Sequence, residues 1–316
     1  MSEPTSQNSN QFRSGYATLI GAPNAGKSTL LNAILGEKIA ITTPKPQTTR
    51  DAIVGIHHRE EGQIVFVDTP GIHRAKGRLN KAMVKNALDS LGQVDIVIFM
   101  VDGARQASQG KGLPLERDTA VLEQLRDVGK PVVLLLNKTD KMNKADALPL
   151  IDAWRELYEF QAIIPVSARR KNGLEQLESE IIALLPEGPP LFPDDMVTDR
   201  SLRFLVAEVV REKLFMQLEQ EMPYSIAVEV EAWKETSRRA EIQAVIHVER
   251  DSQKRIVVGA GGKMIKAIGT SARKEIEKML DKHVFLELFV RVESKWSESM
   301  RSLERFGYLD KDGRGK

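Results

Sequence analysis

Short, almost wholly apolar runs alternate with amphipathic stretches along the first part of the chain. The runs at 16–20, 94–101, 132–136 and 162–166 are too short to span a bilayer and predict strands buried on both faces. Helical periodicity is expected at 28–35, 80–91, 115–128, 145–158 and 174–185. Two extended runs, 52–57 and 63–67, flank Glu61-Gly62 and predict a hairpin. Strands alternating with helices imply an α/β fold, a mostly parallel sheet covered on both sides.

The rhythm then breaks. Pro186, Pro189, Pro190 and Pro193 fall within PEGPPLFPDD, a composition suited to a linker. Beyond it the pattern predicts a helix at 201–217, half-buried strands at 224–232 and 242–249, a helix at 263–280 around Gly269, and a strand at 284–292. With a further helix ahead of 263, the order is helix, strand, strand, helix, helix, strand, an α+β unit. A tail with Trp296, Arg301, Arg305 and Phe306 adds a candidate helix, its two rings read as packing groups. The expected organisation is a disordered tail at 1–13, an α/β domain at 14–186, a linker at 187–200 and a second domain at 201–316.

Composition adds two limits. The 316 residues carry a net charge of only +2, yet the balance is uneven. Residues 1–199 hold 23 Lys and Arg against 25 Asp and Glu, whereas residues 200–316 hold 23 against 19. That asymmetry favours a polyanion partner for the second half. The absence of cysteine excludes disulfides and thiolate metal sites and fits a reducing compartment. The polar first residues hold no stretch resembling a signal peptide, so a cytoplasmic protein is expected.

Candidate chemistry concentrates at strand ends. Gly21 through Ser28 matches GxxxxGK(S/T), after a strand and before a helix. Such a loop turns Asn24, Ala25 and Gly26 N–H groups toward phosphate, and the helix N-terminus beyond, with Thr29, adds its dipole. Lys27 is expected on the β/γ-phosphates and Ser28 on Mg²⁺. Asp68-Thr69-Pro70-Gly71 ends another strand, placing a carboxylate near the metal and the Gly71 N–H near the γ-phosphate. Asn137-Lys138-Thr139-Asp140 follows a third. Asp140 can accept from guanine N1–H and N2, which adenine cannot supply, and Asn137 is expected on the O6/N7 edge. Ser167-Ala168 is expected to offer a backbone N–H to O6. GTP and GDP are the implied ligands; an ATPase is disfavoured by Asp140.

This order of motifs resembles the translation-factor-related class of P-loop GTPases. The resemblance implies a switch threonine that closes over Mg²⁺ and the γ-phosphate, here Thr48 or Thr49, with Thr49 favoured. In Ras-like members a glutamine after DxxG positions water. Ile72 stands there and cannot, which implies a low intrinsic rate, with Lys27, Thr49 and Gly71 carrying catalysis through positioning and electrostatics. Asn24 matches the position that ligates K⁺ in potassium-activated relatives. Arg50 and Arg74 lie in the switches, and neither has a role that its position in the sequence assigns.

In the second unit, Gly259-Ala260-Gly261-Gly262 fits the GxxG loop of a KH domain, which lets about four nucleotides of backbone pass close by. Lys263 and Lys266 lie where phosphates would run, with Arg273 and Lys274 further along. Val258, Ile265 and Ile268 are the expected apolar groove. The element order is that of a type II KH fold.

A P-loop GTPase domain with GxPNxGKS, QTTRD, DTPGI and NKTD, followed by one type II KH domain, is similar to the Era family of bacterial GTPases. That resemblance implies a monomer that binds the 3′ end of 16S rRNA in small ribosomal subunit assembly, cytoplasmic with peripheral inner-membrane association. The contrasting reading is a GTP-regulated membrane or scaffold protein whose second domain binds no RNA. No second catalytic constellation points to an RNA-modifying enzyme.

Overall fold

Strand β1 (Arg13–Ile20) sits inside a six-stranded sheet of order β2-β3-β1-β4-β5-β6. The others are β2 (Ile53–His58), β3 (Gly62–Asp68), β4 (Ile96–Asp102), β5 (Val132–Asn137) and β6 (Ala162–Pro165). Only β2 runs antiparallel, as the hairpin partner of β3. The computed structural model describes residues 11–46, 48–71, 79, 83, 90–109, 112–219, 222–306 and 308.

The apolar runs are continuous because both faces are covered. In β4, Ile96, Ile98 and Met100 enter one core while Val97, Phe99 and Val101 enter the other. Helices α1 (Lys27–Leu35) and α5 (Leu174–Leu184) pack the first face through Leu30, Leu31, Ile34, Leu177 and Ile181. Helices α3 (Glu116–Glu123) and α4 (Lys144–Arg155) pack the second through Val121, Leu122, Leu150 and Trp154. Between β4 and α3 the short α2 (Gly103–Gln109) was not legible, since GARQASQ has no apolar stripe.

Several expectations shift. Strand β1 begins at Arg13, which pairs with Gly62, so the expected tail loses its last residue to the sheet. Most of the helix expected at 80–91 lies outside the described residues, and Ser90–Gln93 forms a 3₁₀ turn. Residues 187–200 lie along the hairpin edge of the sheet. Leu191 and Phe192 N–H donate to the buried Gln63 Oε1, Ile56 N–H donates to Val197 O at 2.8 Å, and Thr198 Oγ1 donates to Val54 O at 2.6 Å. Proline-rich chain thereby covers an open edge.

The second unit starts with α6 (Leu202–Gln217), capped by Ser201, whose Oγ accepts from Phe204 N–H. It continues through β7 (Ala227–Glu235), β8 (Arg239–Val248), α7 (Asp251–Val258), α8 (Lys263–Leu280) and β9 (His283–Val292), the expected order. The sheet runs β7-β8-β9, with β8 and β9 parallel. Strand β7 starts three residues later than the pattern suggested because Met222–Ser225 makes a 3₁₀ turn. Helix α9 (Met300–Arg305) follows, and Trp296 is buried beside it with Nε1–H donating to Ser225 O. Among the described residues no helix is long and apolar enough to cross a membrane.

Candidate nucleotide site and nucleic-acid groove

Helix α1 buries positions 27, 30, 31 and 34, one face at i, i+3, i+4, i+7. That anchoring aims its N-terminus, and the loop before it, at the carboxyl edge of the sheet. Lys27 is buried, with Nζ donating to Gly21 O at 3.1 Å inside its own loop. Burial lowers its pKa, opposed by the nearby Asp68 charge. The cleft above is lined by Asn24, Gly26, Lys27, Ser28 and Thr29 from the loop, Thr48 and Thr49 from the facing segment, and Gly71. Gly71 lies against the loop so closely that a Cβ there would come 2.9 Å from Pro23 N.

Three oxygens converge at this end. Ser28 Oγ donates to Asp68 Oδ2 at 2.6 Å and lies 2.8 Å from Thr49 Oγ1. Thr48 turns the other way, its hydroxyl bonded to Lys45 O and 2.7 Å from Thr43 Oγ1. Asp68 is fully buried, and its Oδ1 has no hydrogen-bond partner among the described residues. Burial pushes this carboxyl up to about 6, against the pull of Lys27. A desolvated carboxylate oxygen beside two hydroxyls is a donor set for a hard cation that also takes phosphate oxygens, which fits Mg²⁺.

At the base end, Ser167 Oγ donates to Asp140 Oδ1 at 2.6 Å, and this bond holds the exposed carboxylate below its usual pKa. Lys138 bridges Asn24 O at 2.7 Å and Asp102 Oδ2 at 2.6 Å. Asn137 is held by protein partners as well. Its Nδ2 donates to Ala25 O at 2.8 Å and its Oδ1 accepts from Ala168 N–H at 3.1 Å. It ties the phosphate loop to the Ser167-Ala168 loop, occupying the Ala168 N–H and using one of the two Nδ2 hydrogens. Asn24, in a left-handed conformation, donates Nδ2 to Pro44 O at 3.1 Å. Ile72 and Arg74 lie outside the described residues.

Arg50 is not an exposed loop arginine. Only 3% exposed, it points away from the cleft into the second unit. No local pattern signals this, since its partners lie more than 170 positions away.

In the second unit α7 ends at Gly259, and Gly261 and Gly262 adopt φ of 58° and 75°, left-handed values that a side chain resists. Open space surrounds both. Lys263 and Lys266 are exposed on the first turn of α8. The adjoining groove is lined by Ile265, Lys266, Gly269, Thr270 and Arg273 of α8 and by Leu286 and Leu288 of β9. Of the expected groove residues, Ile268 is instead a core residue at 0% exposure, because it faces α6 with Ala272 and Ile276. Its place is taken by the two β9 leucines, whose alternation alone could not show which neighbour they face.

Strand ends that gather a phosphate loop, a hydroxyl–carboxylate cluster and an aspartate held by a serine at one sheet edge fit P-loop GTPases. Comparison with known proteins agrees in both halves. Residues 16–138 match the family model described as 50S ribosome-binding GTPase, and residues 221–297 match that of the KH domain. The chain is 52% identical to the GTPase Era of Geobacter sp. (strain M21) over 299 residues, 94% of this chain and 98% of that one. It is 46% identical to the GTPase Era of Alkaliphilus metalliredigens over a similar span. Two solved Era structures superpose with a TM-score of 0.88 at 39% identity, each covering 94% of this chain and 99% of the other. One is Era with MgGDPNP and nucleotides 1506–1542 of 16S ribosomal RNA; the other is a point variant of Aquifex aeolicus Era bound to GDP·AlF₄⁻. The chain belongs to the Era family of GTPases.

Proposed function

We propose that this GTPase is a nucleotide-controlled switch that binds the 3′ end of 16S rRNA through its KH unit during small ribosomal subunit assembly. The observation that carries it is the coexistence, in one chain, of the Ser28–Thr49–Asp68 cluster and an open GxxG turn beside an apolar groove. The relative solved with nucleotides 1506–1542 of 16S rRNA supports this RNA over the large-subunit wording of the family model.

Ser28, Thr49 and Asp68 would hold Mg²⁺, which supplies charge neutralisation at the β/γ-phosphates. Lys27 and the amides of 24–29 orient the phosphates, and Gly71 brings its N–H toward the γ end. Asp140 reads guanine N1–H and N2 from a position set by Ser167, while Asn137 and Lys138 brace the base end. Asn24 is the candidate residue for stimulation by K⁺. With Ile72 in place of a water-orienting glutamine, the rate rests on this electrostatic frame and stays low. Thr49 and Gly71 sit on loops that γ-phosphate orders and hydrolysis releases. On the KH unit, Gly259, Ala260, Gly261 and Gly262 allow backbone approach, Lys263 and Lys266 meet phosphates, and the Ile265–Leu286–Leu288 groove takes bases. A monomer in the cytoplasm, with peripheral membrane association, accords with the family.

The test is binding of a short single-stranded RNA copying that 3′ end, with the protein in GTP-analogue and GDP states. Tight binding in the first state and weaker binding in the second is expected. Absence of binding in both states would move the KH unit to a protein or membrane role and leave the GTPase intact.

A further inference from the structure

The loop that carries Thr49 is fastened to the KH unit on both sides of that residue. One position before it, Thr48 O accepts from Arg211 Nη2 of α6 at 2.6 Å. Arg211 is itself held by Glu208, with Nε–Oε1 at 2.6 Å. One position after it, Arg50 enters a cage built entirely by the second unit. Its Nη1 donates to Ile226 O at 2.6 Å, and its Nη2 donates to Pro223 O at 3.1 Å and Tyr224 O at 2.8 Å. The guanidinium lies 5.8 Å from the Phe215 ring, 5.9 Å from Trp296 and 5.8 Å from Tyr308. One outer tie adds to these, Thr42 N–H donating to Glu212 Oε1 at 3.0 Å, and the linker contributes another, Arg200 donating to Ala52 O.

A planar fork of donors converging on the carbonyls of Pro223, Tyr224 and Ile226, with rings around it, fixes both position and orientation. Consecutive Cα atoms are about 3.8 Å apart, so clamping positions 48 and 50 leaves position 49 little room. Two residues that follow the Asp68–Gly71 segment reach the same cluster, where Leu79 and Met83 are buried with Trp296, Leu303 and Tyr308. None of these residues lines the cleft at the phosphate loop.

We propose that Arg50 is a positioning residue for GTP hydrolysis: seated in the Phe215–Trp296–Tyr308 cage, it sets the place of Thr49, so the KH unit forms part of the frame of the GTP site. The inference rests on the reading of Thr49 as a Mg²⁺ ligand. The Arg50 guanidinium points into the cage and does not line the cleft. Its effect passes through one peptide unit.

The experiment uses the full chain with Arg50→Ala, Arg50→Lys, Tyr308→Leu and, as reference, Thr49→Ala. Single-turnover hydrolysis, its Mg²⁺ midpoint, GDP affinity and Tm are measured for each. Misplacing a catalytic group by about 1 Å costs on the order of 10²-fold, so Arg50→Ala should lower the hydrolysis rate at least tenfold and raise the Mg²⁺ midpoint. GDP affinity should stay within about twofold, because the amides that hold GDP are not displaced. Arg50→Lys should not restore the rate, since an ammonium cannot span three carbonyls. Tyr308→Leu, more than 250 positions from the switch, should give the same split in milder form. An unchanged rate in Arg50→Ala beside an impaired Thr49→Ala would overturn the inference. So would parallel losses of GDP affinity and Tm beside the loss of rate, the mark of general unfolding. Full activity in Thr49→Ala would defeat the reading of Thr49, and the positioning role of Arg50 with it.

Discussion

A side chain added at Gly26 would place its Cβ 2.2 Å from Nδ2 of Asn137, the atom that donates to Ala25 O. The phosphate loop and the guanine-end strand are therefore in contact through a position that tolerates only hydrogen. Gly26 also has φ of 109°, which a Cβ resists. Gly26→Ala should weaken GTP and GDP alike, by roughly tenfold or more if one buried hydrogen bond is lost. Titration with fluorescent nucleotides checks this, and a larger loss for GTP alone would contradict the shared brace.

Asp140 is fastened by Ser167 at the base end. Replacing its acceptor pair with an amide inverts half of the hydrogen-bond pattern that guanine requires. Asp140→Asn should lower GTP affinity about 10- to 100-fold and raise affinity for xanthosine triphosphate, whose C2 oxygen accepts from the new amide. Competition between the two triphosphates gives the answer directly.

Of the buried ionisable groups away from the nucleotide, His247 bears on acid stability. It is fully buried on β8, its ring centroid 4.7 Å from that of Phe306 and tilted at 56°, with Glu293 Oε2 at 3.2 Å and Glu229 Oε2 at 3.6 Å. Burial, then the Arg305 charge and that of Arg291, hold its pKa below 6.5, outweighing Glu293 and Glu231. The unfolded state therefore takes up the proton first as pH falls. This stability is present above pH 6.5 and is lost as pH drops through the lower folded value. Tm should decline on acidification below that point, and His247→Leu should flatten the decline. An identical slope in the variant would assign it to other groups.

The exposed Lys263 and Lys266 stand beside the GxxG turn. Each phosphate contact on single-stranded nucleic acid contributes about −0.7 to the slope of log K against log salt. Lys263→Ala and Lys266→Ala should each reduce that slope by about this amount for the rRNA 3′-end oligonucleotide, with little change in sequence preference. An unaltered slope would place the RNA backbone elsewhere.

Asn24 has its amide nitrogen engaged by Pro44 O, which leaves the oxygen as the atom able to accept a cation. Hydrolysis in KCl should exceed hydrolysis in NaCl at equal ionic strength, and Asn24→Ala should abolish the difference. Equal rates in both salts with the unaltered protein would remove K⁺ from the mechanism.

Much of this molecule was legible in one dimension because its signals are local. The buried runs of β4 and β5 read as strands since parallel sheets bury both faces, and the phosphate loop read as such since its fixed positions must all coincide. The α2 segment did not, as its few buried groups, Gly103 and Gln106, form no apolar stripe. Ile268 was misplaced into the groove for a related reason. A helix of period 3.6 presents adjacent faces to core and cleft, and only the packing of α6 against α8 separates them.

The sequence by itself determined which ligand chemistry each half can perform: a phosphate cradle, a carboxylate for guanine, and an open glycine turn beside lysines. These depend on residue type at fixed spacing, and short-range geometry follows from them. The tertiary structure decided what those groups lean on. It joined Asn137 to both the phosphate loop and the Ala168 N–H, chose Thr49 over Thr48 for the oxygen cluster, and buried Arg50 in a cage from the far end of the chain. Such contacts join positions far apart in the chain, where no local periodicity reports on the partner, and burial turns one exposed-looking arginine into a joint between two domains.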